Sequence, residues 1–112
     1  MEITEQKKGS VVLLVLTGRL DAGTAGKLEE RLVGLIEAGN RSFVLDFMNL
    51  DYISSAGLRV LLMAAKKLKG LNGRIVLSSL KAHIREVFDI AGFSAIFPTY
   101  DQQDAAVGSF QS

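Results

Sequence analysis

Cysteine is absent from this 112-residue chain, which excludes disulfides, thiolate metal sites and a cysteine nucleophile and fits a reducing compartment. Only one histidine, His83, is present, so neither a His-rich metal site nor a His pair is available. Tryptophan is absent as well, and neither sign of charge dominates: 13 basic and 12 acidic residues are interspersed, for a net charge of +1. Nucleic-acid binders usually carry a basic excess or stripe; its absence argues against a nucleic-acid partner. The opening segment MEITEQKKGS has no apolar stretch ahead of a cleavage site, so it does not read as a secretory signal. The apolar run from Val11 to Leu16 is far shorter than the roughly 20 residues of a membrane-spanning helix. The expectation is a cytoplasmic chain with no direct membrane insertion.

Catalytic signatures are also missing. No GxSxG elbow and no GxxxxGK(S/T) or GxGxxG phosphate loop occurs. A Ser-His-Asp triad would have to use His83, which sits beside the apolar stripe of a helix and reads as a flank residue. Asp46 and Asp51 flank the Met48–Leu50 segment as candidate paired carboxylates, although carboxylates in such places more often cap loops at strand ends. The lysines at 66, 67 and 69 read as the solvated side of a helix. The sequence therefore points to a binding protein rather than an enzyme, with no cofactor and no metal.

What is present suits a globular core: 48% of residues are hydrophobic and 22% charged. The length suits one domain, residues 1–112, large enough to fold unaided. Ile3–Glu5 is a weak strand and Gln6–Ser10 a polar turn, after which Val11–Thr17 is a β-branched apolar run typical of a buried strand; the two form a hairpin. Asp21 or Thr24 can cap a helix whose apolar positions are Ala25, Leu28, Leu32, Leu35 and Ile36, with Gly39 as its stop. Ser42–Phe47 reads as a central strand and Met48–Ile53 as a loop. A second helix spans about Ser55 to Lys69, with Leu58, Leu61, Leu62, Ala65 and Leu68 at helical spacing. Arg74–Ser78 is a third clear strand. Ser79 can cap a third helix carrying Leu80, Ile84, Val87, Phe88 and Ala91, Ala95–Pro98 can be a short edge strand, and Asp101–Phe110 a short terminal helix. Strands alternating with helices after a hairpin predict an α/β fold, a mixed sheet with parallel βαβ units and helices packed on it.

One segment stands apart, Asp51-Tyr52-Ile53-Ser54-Ser55-Ala56-Gly57-Leu58. It joins a buried strand to an amphipathic helix, and such crevices are where open α/β folds meet ligands and partners. Ser54 or Ser55 can serve as N-cap, worth ~1 kcal/mol. A serine here can also accept a phosphate, because a helix N-terminus offers free N–H groups and the positive end of the dipole. Arg59 lies one turn on from Ser55 and can pair with that phosphate.

Several motifs now fall into a familiar order. Thr17-Gly18-Arg19-Leu20-Asp21, Phe43-Val44-Leu45-Asp46-Phe47 and Tyr52-Ile53-Ser54-Ser55-Ala56-Gly57-Leu58 resemble the turn, central strand and signature of the STAS domain. The form they resemble is that of the bacterial anti-sigma factor antagonists. Gly73-Arg74-Ile75-Val76-Leu77 and Val87-Phe88-Asp89-Ile90-Ala91-Gly92-Phe93 fit as well, so the resemblance spans almost the whole chain. It implies a phosphorylation switch. In that family the serine two residues before the Gly-Leu pair, Ser55 here, is phosphorylated by a partner anti-sigma factor, a kinase with a histidine-kinase-like ATP-binding fold. The unphosphorylated antagonist binds the anti-sigma factor and frees the sigma factor; phosphorylation breaks the complex and a serine phosphatase restores it. Many members carry aspartate before the acceptor where this chain has Ser54, which removes a negative charge and makes Ser54 a second candidate acceptor. Arg59, Met63, Lys66 and Lys67 lie away from the apolar stripe of the second helix. With Asp21, Ser54, Ser55 and Gly57 they make the expected partner-facing strip, Met63 exposed on it. The alternative is a STAS accessory subunit of a transporter or sensory complex whose binding is independent of phosphorylation.

Overall fold

The computed structural model describes residues 1–110. Gln111 and Ser112, which complete the expected single domain, lie outside the described residues. In chain order the elements are β1 (Glu2–Lys8), β2 (Val11–Leu20), α1 (Ala25–Glu37), β3 (Ser42–Ile53), α2 (Ser55–Gly70), β4 (Arg74–Ser78), α3 (Ala82–Ile90), a 3-10 turn (Phe93–Ala95), β5 (Thr99–Tyr100) and α4 (Gln103–Gly108). The strands form one sheet in the order β1-β2-β3-β4-β5. β1 and β2 are antiparallel and all other neighbours parallel, so the mixed sheet with an opening hairpin is as expected. Parallel neighbours need long crossovers, which α1, α2, and α3 with its 3-10 turn supply.

The continuous apolar runs are explained by burial on both sides of the sheet. Side chains alternate along a strand. Val12, Leu14 and Leu16 of β2 and Phe43, Leu45 and Phe47 of β3 join the core beneath Leu28 and Leu32 of α1, Leu61 and Leu68 of α2, and Ile84 and Phe88 of α3. Val11, Leu13, Val44 and Val76 face the other way, against Ala106, Val107 and Phe110. Phe88 meets the rings of Phe47, Phe93 and Phe97 edge-on, with centroids 6.0–6.2 Å apart, and so anchors α3 and the 3-10 turn on the sheet.

Four local expectations change. β1 continues through Gln6–Lys8, and Lys8 pairs with Val11, leaving only Gly9 and Ser10 as the turn. Gly9 has φ +64 while Ser10 keeps a negative φ, the pattern of a tight two-residue hairpin that favours glycine at its first position. Met48–Ile53 is strand rather than loop: β2 and β3 stay paired as far as Leu20 and Ile53, with irregularities after Val15 and Gly18. The polar residues at 49 and 51 break the apolar pattern in sequence, but burial of Leu50 and Ile53 and the β2 ladder hold the segment extended. Ser79 does not cap α3. It takes a left-handed φ of 61 and donates its N–H to the Tyr100 carbonyl at 2.9 Å, while Lys81 is the N-cap. Ala95–Pro98 is not a strand either, because the Phe93 carbonyl accepts the N–H groups of Ile96 and Phe97 and closes a helical turn just before β5.

Candidate partner-binding site

The site begins where β2 and β3 end together. The Ser54 N–H donates to the Leu20 carbonyl at 2.9 Å, tying the last residue of one strand to the exit of the other. Ser54 is extended, with φ −102 and ψ 173, and its Oγ accepts the Gly57 N–H at 3.4 Å. Ser54 is therefore the N-cap of α2. Ser55 is its first helical residue, solvent-exposed, at the end where backbone N–H groups lack helical partners.

Gly57, expected on the partner-facing strip, packs inward. It is buried, and a Cβ there would stand 2.6 Å from Leu20 Cγ, 2.9 Å from Leu20 Cδ2 and 3.1 Å from Ile53 Cγ1. Its absent side chain lets the helix N-terminus seat directly on the strand ends. The Gly-Leu pair of the signature is thus a packing device that fixes where Ser55 emerges.

Asp21 follows Leu20 and so reaches the same end of the sheet. Its Oδ1 accepts the N–H groups of Gly23 at 3.0 Å and Thr24 at 3.1 Å, while its carbonyl accepts the Ala25 N–H at 2.8 Å. The Asp21 carboxylate thus takes the capping role, and Thr24, the N-cap residue of α1, makes no side-chain cap bond. The Thr24 hydroxyl lies within hydrogen-bond reach of both the Arg19 carbonyl, at 2.8 Å, and Asp21 Oδ1, at 3.2 Å. Partial burial pushes the Asp21 carboxyl up, but the Thr24 hydroxyl, the two N–H donors and the Arg19 charge outweigh it and hold the group below its ordinary value.

Along α2, Ser55, Arg59 and Lys66 are exposed on the outer crest, as expected. Met63 is corrected: it is half-buried and packs on the main core. It borders a depression of about 250 Å³ over the α1–α2 seam, with Ala56, Arg59, Val60, Ala25 and Glu29. Lys66 borders a different groove, on the opposite flank. The strip is therefore a crest between two depressions.

A cluster that sequence reasoning missed completes this end of the molecule. β4 pairs with β3 only as far as Asp46 and Ser78, so the last residues of β3 project past it. α3 covers that edge: the His83 ring Nε2–H donates to the Asp51 carbonyl at 2.7 Å, and Lys81 Nζ pairs with Asp51 Oδ1 at 2.5 Å. Lys81, by hydrogen bond and by charge, holds the Asp51 carboxyl below its ordinary value. On the β2 side the Arg19 guanidinium lies 4.2 Å over the Tyr52 ring, a cation–π contact. These contacts join residues far apart in the chain, and no local pattern signals them.

The same geometry disposes of the other candidates. His83 Nε2 must carry its proton to serve a carbonyl acceptor, so this nitrogen acts as a structural donor. Asp46 and Asp51 do not act as a pair. Asp46 faces α4 and accepts the Met48 N–H at 2.9 Å and Gln103 Nε2 at 2.5 Å, whereas Asp51 pairs with Lys81. Among the described residues no group of three or more His, Cys, Asp or Glu side chains is placed to hold a metal ion, and no helix is long and apolar enough to cross a membrane.

Comparison with known proteins fits this arrangement. The STAS domain family matches residues 2–106. A Bordetella bronchiseptica protein, BtrV, whose name places it among the anti-sigma factor antagonists, is 43% identical over 112 residues, covering 100% of this chain and 97% of its own. Among solved structures, an anti-sigma factor antagonist from Mycobacterium paratuberculosis superposes with a TM-score of 0.90 at 21% identity, covering 99% of this chain and 94% of that one. The antagonist SpoIIAA in its unphosphorylated form gives 0.85 at 19% identity, with 96% and 95% covered. Bacillus SpoIIAA in its phosphorylated form gives 0.79 at 19% identity, with 98% and 100% covered. At these identities the structures establish the shared fold.

Proposed function

The chain belongs to the STAS domain family, with a relative named as an anti-sigma factor antagonist, and on that premise we propose that it is a phospho-switched antagonist of an anti-sigma factor. Unphosphorylated, it binds the anti-sigma factor through the crest of α2 and the adjoining Asp21 turn, and so frees a sigma factor in the cytoplasm. The anti-sigma factor, a serine kinase with a histidine-kinase-like ATP-binding fold, phosphorylates Ser55 and ends the complex; a serine phosphatase resets it.

The observation that carries this reading is the division of labour between the two serines. Ser54 spends its hydroxyl on the cap, and Ser55, exposed on the first turn, makes no hydrogen bond through its hydroxyl among the described residues. A phosphate on Ser55 adds about −1.5 to −2 charge at the helix end that tolerates anions best, so the fold can accept it. The complex cannot: a phosphate inside the interface adds desolvation and charge repulsion, and a hundredfold loss of affinity needs only about 2.8 kcal/mol. The aspartate common before the acceptor is replaced here by Ser54, which keeps the capping chemistry without the charge.

The test is intact-mass and peptide mapping of the protein from its native cells, with Ser55→Ala beside it. Phosphate on Ser55, lost in Ser55→Ala, is the expected result. Phosphate on Ser54 moves the acceptor by one residue, and its absence under all growth conditions overturns the switch.

A further inference from the structure

A second surface lies on the flank of α2 that faces away from α1. Here Leu62 and Ala65 of α2, Ile75 of β4, and Ile96 and Pro98 beyond the 3-10 turn line a groove of about 510 Å³, a size typical of sites that take up apolar groups. Ile96 is left 45% exposed at its edge, adding apolar surface to the groove.

The charges around this groove have one sign. Lys66, Lys69 and Arg74 border it, and no carboxylate does. The Arg74 guanidinium is engaged on the α4 side, donating to the Ser109 carbonyl at 2.9 Å and lying 4.5 Å over the Phe110 ring. Lys66 and Lys69 form no ion pair among the described residues. Two other depressions differ: one over the α1–α2 seam includes Glu29 with Arg59, and one along α1 includes Glu30 with Lys27 and Arg31. An apolar cleft with two uncompensated ammonium groups on its rim complements an apolar ridge flanked by carboxylates.

We propose that this groove docks an acidic amphipathic segment of a partner protein. Its apolar side chains enter between α2 and the 96–98 segment, and its carboxylates meet Lys66 and Lys69. Nucleic acid fits less well, because no aromatic ring lines the groove to stack a base and a phosphate backbone would leave the apolar lining unused. The site lies along the C-terminal half of α2 and shares Lys66 with the crest, but Leu62, Ala65, Lys69 and Ile96 lie outside the strip that carries Ser55, so binding there is read by residues the switch does not use.

Isotope-labelled protein titrated with a designed peptide and followed by amide chemical shifts tests the proposal. The probe carries Leu at i, i+3, i+4 and i+7 with Glu elsewhere. Its controls are the same peptide with Lys for Glu, a Glu-only peptide, and a single-stranded oligonucleotide. The expected shifts cluster at Leu62, Ala65, Lys69 and Ile96. Affinity should fall about tenfold in Lys69→Glu and in Ile96→Asp, and with added salt. Both substitutions are at exposed positions, and an unchanged amide spectrum in the free variants verifies that they fold. Shifts centred on Ser55 and Arg59, equal binding of the Lys or Glu-only peptide, tighter binding of the oligonucleotide, or no shifts overturn it.

Discussion

At its N-terminal end α2 is pinned to the sheet. Ser54 bonds both the Leu20 carbonyl and the Gly57 N–H, and Gly57 lets Leu20 and Ile53 come as close as atoms allow. Toward its C-terminal end the same helix carries Lys66 and Lys69 over an open groove, and a Cβ added at Gly70 would meet nothing within 4 Å. One end is a fixed mount for a single hydroxyl; the other is a surface with room to accept something. Holding a modification site in a reproducible place requires close packing, whereas docking a segment requires apolar area left uncovered. One helix does both because its ends meet different parts of the sheet.

Glycine substitution gives the strongest way to break this contrast. Gly57→Ala drives a methyl into Leu20 and should cost about 1–3 kcal/mol as overpacking, despite alanine's better helix propensity. Gly70→Ala should change stability by no more than about 1 kcal/mol and in the favourable direction. Urea unfolding of the two variants decides the matter, and equal midpoints would mean that the N-terminal end is not tightly seated.

A smaller effect separates the two serines. Ser54→Ala removes the cap and should cost ~1 kcal/mol, whereas Ser55→Ala, an exposed position outside the cap, should stay within about 0.5 kcal/mol. Thermal melts of both variants read this directly, and a reversed order would assign the cap to Ser55.

The smallest effect sharpens the comparison through pH. Asp21 and Asp51, both at the pinned end, have carboxyl groups held below the ordinary value, so the folded state binds their protons less readily than the unfolded chain does. Their contribution is present above the unfolded carboxylate value of about 3.9 and is lost as pH falls through the lowered folded values. Asp21→Asn and Asp51→Asn should each reduce the acid-induced loss of stability in that window. Stability measured against pH in the two variants and the parent gives the answer, and an unchanged slope would show that these carboxylates are not bound as described.

Much of the architecture was legible along the chain. Val11–Leu16, Phe43–Phe47 and Arg74–Ser78 announce buried strands by apolar content. Leu28, Leu32, Leu58, Leu61 and Leu68 announce helices by spacing, and their alternation after a hairpin implies parallel crossovers. The serine-bearing junction before Gly57-Leu58 stood out for the same local reason, a cap set between an apolar strand and an amphipathic helix. Met48–Ile53 did not read as strand, because its order comes from the β2 ladder and from burial of Leu50 and Ile53 rather than from its own polarity.

By itself, then, the sequence determined the main helices, the apolar buried strands and the neighbourhood of the site, since each depends on residues within a turn of helix or along one strand. Only the tertiary structure decided that Ser54 caps while Ser55 stands free, and that Gly57 is buried against Leu20 and Ile53. It likewise decided that Met63 is half-buried, that Arg19 covers Tyr52 while Lys81 and His83 cover Asp51, and that Lys66 and Lys69 border an apolar groove. The physical reason is one of range: a local pattern records which face of an element is apolar, but which atoms meet that face depends on how distant elements settle against one another.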